Sequence, residues 1–223
     1  MLTIQALEKK LIKDVRPLYL KTDKAHSIDH IYAVMTNVSL ICFKLRRMDV
    51  LRVALVAAAY HDIYSAKETR EVHHIRSYSY MLDNLEKFCK RYGLTRDEMV
   101  LAAYACLEHR NSWGGGYNSI VSEIVAAADR GIPKVGEVEG MVKRSYIYHR
   151  DHGRSVKSAQ FHSASHIKEK FGAGNVGSVP EWYGEVFKEG LESRWNDIDA
   201  LDESFFTSER IAQWEDELNT NHE

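Results

Sequence analysis

Apolar residues recur along most of this chain at spacings of three and four, the period of an amphipathic helix. Over residues 2–16, Leu2, Ile4, Leu7, Leu11, Ile12 and Val15 share one helical stripe. Residues 29–46 predict a second helix, with Ile31, Val34, Met35, Val38, Ile41, Cys42 and Leu45 facing inward. Residues 50–62 are apolar nearly all round, the pattern of a buried central helix. Further helices are expected over about 71–91, 96–109, 118–129 and 136–150, with Gly93 as a C-terminal stop and Thr95 as an N-cap. No segment shows the alternating β-branched pattern of a sheet. None of the three prolines, Pro17, Pro133 and Pro180, interrupts a helical pattern where it would do harm.

SWGGGYNS (Ser112–Ser119) reads as a loop, because successive glycines are costly inside a helix. FGAGNVGSVP (Phe171–Pro180) reads as another, and it precedes a polar tail carrying Trp182, Trp195 and Trp214. The fold class expected is all-α, with residues 1–172 as the main helical domain. Residues 173–223 are expected as a C-terminal helical extension packed on that domain, its tryptophans serving core or homo-oligomer packing.

Composition narrows the function classes. A chain of 223 residues, 44% hydrophobic and 28% charged, is ordinary for a soluble globular protein and can bury a substantial core. Thirty basic against 32 acidic residues leave a formal charge of −2, which argues against general nucleic-acid binding. Cys42, Cys89 and Cys106 are sparse, odd in number and without CxxC spacing. They point away from a disulfide framework and a cysteine zinc site, and toward a reducing compartment. The N-terminal stretch lacks the unbroken apolar core of a signal peptide, and the longest apolar run, near Val50–Tyr60, is too short to span a bilayer. A cytoplasmic setting is expected.

The chemistry-bearing residues stand at the ends of these helices. In AHSIDHIYAV, His26 and His30 are four residues apart where the second helix begins. The small apolar run AAAY ends in His61-Asp62, and VAAADRG places Asp129 after a similar run and just before Gly131-Ile132-Pro133. Carboxylates brought to one end of an apolar core are costly unless partnered, and a divalent cation is an effective partner. Two imidazoles and two carboxylates suit a borderline ion such as Mn²⁺, Fe²⁺, Ni²⁺, Co²⁺ or Zn²⁺, and Mg²⁺ is a further candidate. Octahedral coordination would leave room for a water and a phosphate oxygen.

The order His30, His61-Asp62, Asp129 resembles the signature of the HD-domain superfamily of metal-dependent phosphohydrolases, in particular its small nucleotide-hydrolysing branch. AHSIDHIYAV is similar to the family's opening H-x-x-x-H-x-x-x-V segment, and VHHIRSYSYM to its His-then-Ser segment. CLEHR is similar to the segment whose histidine precedes the last aspartate, AAADRG to the Asp-Ala-Asp segment, and SASHIKEKFG more loosely to a downstream His-x-x-x-Lys stretch. The resemblance covers roughly residues 22–172. It implies an HD-type helical bundle, a metal held by His30, His61, Asp62 and Asp129, and Asp62 placed to orient the attacking water. Two positions depart from it. Ser65 stands where 5′-nucleotidase relatives often carry glutamate, and Tyr32-Ala33 stand where many relatives place an arginine before the valine.

Of the adjacent pair His73-His74, only one can face a site, since neighbours on a helix point about 100° apart. His73 is the choice, for substrate phosphate or, with His109, for a second metal. His109 closes an apolar helix directly before the glycine loop. Asp62, His109 and His73 are thus the catalytic candidates. His26, Lys67 and Arg76 are the substrate-binding ones, with Arg70, Arg110 and Arg130 further cations near ligand-bearing helix ends. Trp113 and Tyr117 are candidates for a lid or base-stacking platform. The basic YHRDHGR cluster (Tyr148–Arg154) reads as a solvated helix end. The function expected is a metal-dependent phosphohydrolase acting on a small nucleotide through a metal-activated water. The alternatives are a catalytically silent HD-fold nucleotide-binding or protein-interaction module and a di-iron oxygenase on the same scaffold.

Overall fold

The computed structural model describes residues 2–20, 22, 27–66, 68–110, 113–173 and 179–220. Among the described residues twelve α-helices and one 3-10 turn make up the regular structure, and no strand occurs. The helices are α1 (Ile4–Tyr19), α2 (Ile28–Lys44), α3 (Leu51–Tyr60), α4 (His73–Asp83), α5 (Leu85–Tyr92) and α6 (Arg96–Glu108). They continue with α7 (Ile120–Arg130), α8 (Val138–Asp151), α9 (Val156–Phe171), α10 (Glu181–Val186), α11 (Lys188–Asp199) and α12 (Ser208–Thr220). The all-α class read from the apolar periodicity is what the structure has.

The chain forms two compact units, Met1–Ile132 with Ser178–Tyr183, and Pro133–Gly177 with Gly184–Glu223. The division falls at Ile132/Pro133, where the sequence reading placed it after residue 172. Gly131, at φ 90°, ends α7 and Pro133 opens the next segment, so the chain turns away there. Helices α8 and α9 pack on each other and on α11 and α12. Their core is Val138, Met141, Val142, Tyr146, Ala159, Ile167, Ile198, Leu201 and Trp214. Within it Arg194 donates to Glu137 at 2.6 Å, and Arg150 and Tyr146 both donate to Glu215.

In the first unit α3 is the central element. Every residue from Val53 to Tyr60 is buried, and helices α1, α2, α6 and α7 pack around it. Its one charged residue, Arg52, reaches out to the Leu2 and Tyr92 carbonyls at 2.6 and 3.0 Å. Three local details refine the sequence reading. First, α1 runs on through Pro17 to Tyr19, extending the buried series Leu7, Leu11, Val15 to Tyr19. Proline in the last turn removes one amide donor, and burial of Tyr19 outweighs that loss. Second, the helix expected over 71–91 is two helices, α4 and α5. Asn84, at φ −106° and ψ 14°, leaves helical geometry between them, and its side-chain amide donates at 3.0 Å to the Tyr80 carbonyl that its own backbone N–H also reaches. Third, Gly93 ends α5 in the left-handed region and Thr95 forms a reciprocal capping box with Glu98 at the start of α6.

Candidate metal centre

Three short backbone facts set the orientation of the site. His61 is the C-cap of α3, His109 the C-cap of α6, and His73 the first residue of α4. Each turns its Nδ1 onto the carbonyl three residues earlier: His61 to Ala58 at 2.8 Å, His73 to Arg70 at 2.6 Å, and His109 to Cys106 at 2.8 Å. A carbonyl only accepts, so each Nδ1 carries a proton, and the neutral ring must then present its Nε2 as a lone pair. Two of those carbonyls lie in the last turn of a helix, where they lack an intrahelical donor.

The three Nε2 atoms converge on Asp62, which is 2% exposed. Its Oδ2 lies 3.3 Å from His61 Nε2 and 3.7 Å from His30 Nε2. Its Oδ1 lies 3.1 Å from His73 Nε2 and 3.4 Å from His109 Nε2. Asp129, at the end of α7, brings its Oδ1 to 3.1 Å from His30 and 3.5 Å from His61. Two ligand-capable groups result: His30, His61, Asp62 and Asp129, and Asp62, His73 and His109, each with its donor atoms within 4.8 Å of one another. Asp62 belongs to both, through a different oxygen in each.

These spacings suit a cation. Ligands about 2.1 Å from a common ion lie about 3.0 Å apart at right angles and about 3.4 Å apart at tetrahedral angles. His73 and His109 place their Nε2 atoms 3.1 Å apart although both Nδ1 atoms already donate elsewhere. Two lone pairs cannot bond each other, so a proton or a metal must lie between them. His61 Nε2 is likewise buried without a partner in hydrogen-bonding geometry. Imidazoles that donate Nδ1–H to a backbone carbonyl while offering Nε2 inward are the usual arrangement at a metal. A buried His/Asp group able to hold a metal ion is therefore present.

The electrostatics agree. Burial disfavours charge on His61, but the facing carboxylates of Asp62 and Asp129 prevail and hold its imidazole well above the ordinary range. Burial likewise opposes ionisation of Asp62, yet the charge on His61 and hydrogen bonds from His109, His61 and His73 keep it well below the usual carboxylate value. Burial also opposes ionisation of Asp129, which His30 and His61 hold low. Burial, helped by the charge on His61, keeps His109 below the ordinary imidazole range. Two anions thus stand among imidazoles, and a divalent cation takes over the role of the protons it displaces.

Residues not singled out from sequence support the pair. The Tyr19 hydroxyl, buried, donates to the Ala59 carbonyl at 3.2 Å and accepts from the Asp62 amide at 3.3 Å, which clamps the turn carrying Asp62. Its signal was the i+4 series of α1, cut short by expecting the helix to end before Pro17. Ser65, the departure from the nucleotidase pattern, is fully buried and donates to Asp62 Oδ1 at 3.2 Å. His74 is as buried as His73 and lies edge-on to Trp113. Burial, together with the charges of His73, His109 and Arg110, lowers His74 to about 4.

Of the substrate-binding candidates, Arg76 is exposed on α4 and no described residue bonds it to the cluster. His26 and Lys67 lie outside the described residues. Arg110 and Arg130 directly follow His109 and Asp129, and Arg110 donates to the Glu71 carbonyl. In the glycine loop the Trp113 indole donates to Gly116 at 2.7 Å and packs so tightly on Gly115 that a Cβ there would strike the ring. The YHRDHGR cluster and His166 belong to the second unit, where the rings of His149 and His162 lie 5.5 Å apart. Among the described residues the three cysteines are free, and burial pushes the Cys42 thiol up to about 11. No helix among the described residues is long and apolar enough to cross a membrane. The chain matches no known family model, no curated protein and no solved structure.

Proposed function

We propose that the chain is a metal-dependent phosphohydrolase of the HD-domain type, acting on a small nucleotide or related phosphate ester. The observation that carries this reading is the convergence on the buried Asp62 carboxylate of three imidazoles, each with its Nδ1 held on a backbone carbonyl and its Nε2 turned inward. His30, His61, Asp62 and Asp129 would hold one divalent cation, and Asp62, His73 and His109 would hold a second or face the substrate phosphate. Such a cation, when bound, lowers the pKa of a water and offsets the charge on a phosphate. Asp62, whose backbone amide donates to Tyr19 and whose Oδ1 accepts from Ser65, would be placed to orient that water. His74 and Trp113 form an aromatic border beside His73, suited to a nucleobase. Arg110 and Arg130 place guanidinium groups next to the two ligand-bearing termini, where the planar fork matches phosphate.

The test is release of phosphate or pyrophosphate from a nucleotide panel with Mn²⁺, Co²⁺, Ni²⁺ or Mg²⁺, comparing the native chain with Asp62→Ala. Metal-dependent release that the variant loses is the expected result. A folded native protein that releases nothing with any metal would overturn the reading in favour of a silent binding module. One observation favours a second reading, a di-iron oxygenase: His73 and His109 do form a three-ligand group with Asp62. Oxygen uptake by the Fe²⁺-loaded protein, without phosphate release, would select it.

A further inference from the structure

Helix α2 has two apolar faces. The inner one, Ile31, Val34, Met35, Val38, Ile41 and Cys42, is buried. The outer one carries Tyr32, Leu40 and Phe43, which are 45%, 42% and 71% exposed, together with exposed Ala33 and Thr36. No charged residue lies anywhere between His30 and Lys44. A continuous uncharged, partly aromatic helix face is unusual for solvent contact and marks an interaction surface. By contrast, α5 presents Glu86, Lys87, Lys90 and Arg91 outward.

Two pairs of features on this face are related about one point. Exposed Asp29 opens it and exposed Lys44 closes it, and their midpoint falls between Thr36 and Asn37. A groove of about 640 Å³, lined by Ile12, Tyr32, Met35 and Thr36 and rimmed by the polar Gln5, Glu8 and Lys9 of α1, flanks the N-terminal half, where α1 touches α2 only sparsely. Phe43, the most exposed of the apolar residues on the face, protrudes from the C-terminal half. The midpoint of Tyr32 and Phe43 lies within about one residue of the first midpoint. A surface whose acid and base, and whose groove and knob, are related by the same centre is complementary to its own two-fold copy.

We propose that this face is a homodimer interface, with α2 packed antiparallel on α2 of a second copy at a shallow crossing angle. Asp29 meets the partner's Lys44, Phe43 enters the partner's groove beside Tyr32, and the dyad passes near Thr36. The ends of the helix, about 22 Å apart, are thereby matched in charge. Charge complementarity about a single centre is what singles out a second copy over an unrelated partner. The dimer does not depend on the hydrolase reading.

Sedimentation over a concentration series tests it with the full chain. A reversible dimer is expected, weakened at least about ten-fold by Leu40→Glu and by either Asp29→Lys or Lys44→Asp alone, and recovered in the Asp29→Lys/Lys44→Asp double variant. A native chain that stays monomeric to high concentration overturns the proposal, as does a dimer indifferent to Leu40→Glu. Single reversals whose combination restores nothing refute the antiparallel register. Thr36→Cys gives a test that disturbs no packing: near the dyad it should cross-link to its own copy under mild oxidation. Failure to cross-link while the protein is dimeric places the interface elsewhere.

Discussion

Asp62 stands in both ligand groups, and this makes its replacement different in kind from that of any other residue of the centre. Asp62→Ala leaves three ligands in one group and two in the other, whereas His109→Ala leaves the group of His30, His61, Asp62 and Asp129 complete. An ion that binds only the folded chain stabilises it by about 2.7 kcal/mol at a hundred-fold excess over its Kd. In a chain of this length 1 kcal/mol moves Tm by about 2–4 °C, so one ion should raise Tm by about 5–11 °C and two by roughly twice that. The assay is calorimetry of chelator-treated protein titrated with Mn²⁺, reading for each variant the increment over its own metal-free Tm. The native chain should show the full rise, His109→Ala about half, and Asp62→Ala little. Reading the increment separates metal binding from any change in intrinsic stability. An Asp62→Ala increment equal to the native one would refute the reasoning, because the ion would then sit away from Asp62.

Three further outcomes are expected. Tyr19→Phe removes the acceptor of the Asp62 amide inside the core, which should cost about 1–3 kcal/mol in urea unfolding and weaken Mn²⁺ binding as well. Asp14 accepts from Arg91 and, at 2.9 Å, from Tyr92. Burial raises its pKa, but those bonds and the nearby cations hold it below the ordinary 3.8. Its contribution is therefore fully present above pH 3.8 and lost as pH falls through the lower folded value. Asp14→Asn should cost about 1 kcal/mol at pH 7, with the difference from native shrinking in denaturation curves taken at progressively lower pH below 3.8. In the second unit Gly190 of α11 lies against the Pro133 carbonyl, which an added Cβ would strike. Gly190→Ala should destabilise by about 1–3 kcal/mol, read from the fluorescence of Trp195 and Trp214 during unfolding.

Much of the helical layout was legible without coordinates. The stripes of α1 and α2, the all-round burial of α3, the Gly93 stop and the Thr95 cap are each decided within a few residues of chain. Local competition also explains where that reading failed. Asn84 and Pro17 pull in opposite directions from expectation. The first ends a helix where its backbone leaves helical geometry and its side-chain amide joins its own N–H on the Tyr80 carbonyl, and the second fails to break one because Tyr19 beyond it has a core to enter. The turn at Gly131–Pro133 was read as a helix stop, but its role as the boundary between two units depends on α8 and α9 packing with later helices.

For the centre, the sequence by itself determined which residue types stand at helix ends: His30, His61-Asp62, His109 and Asp129, each beside a small or apolar run. Only the tertiary structure decided that His73 and His109 share one oxygen of Asp62 while His30 and His61 face the other. It alone showed that Ser65 and Tyr19 brace that carboxylate, and that His74 is buried rather than solvated. Periodicity and capping depend on neighbours within one or two turns, so they are written in the local order of residues. The distance between side chains on different helices depends on how whole faces pack, and no local spacing encodes it.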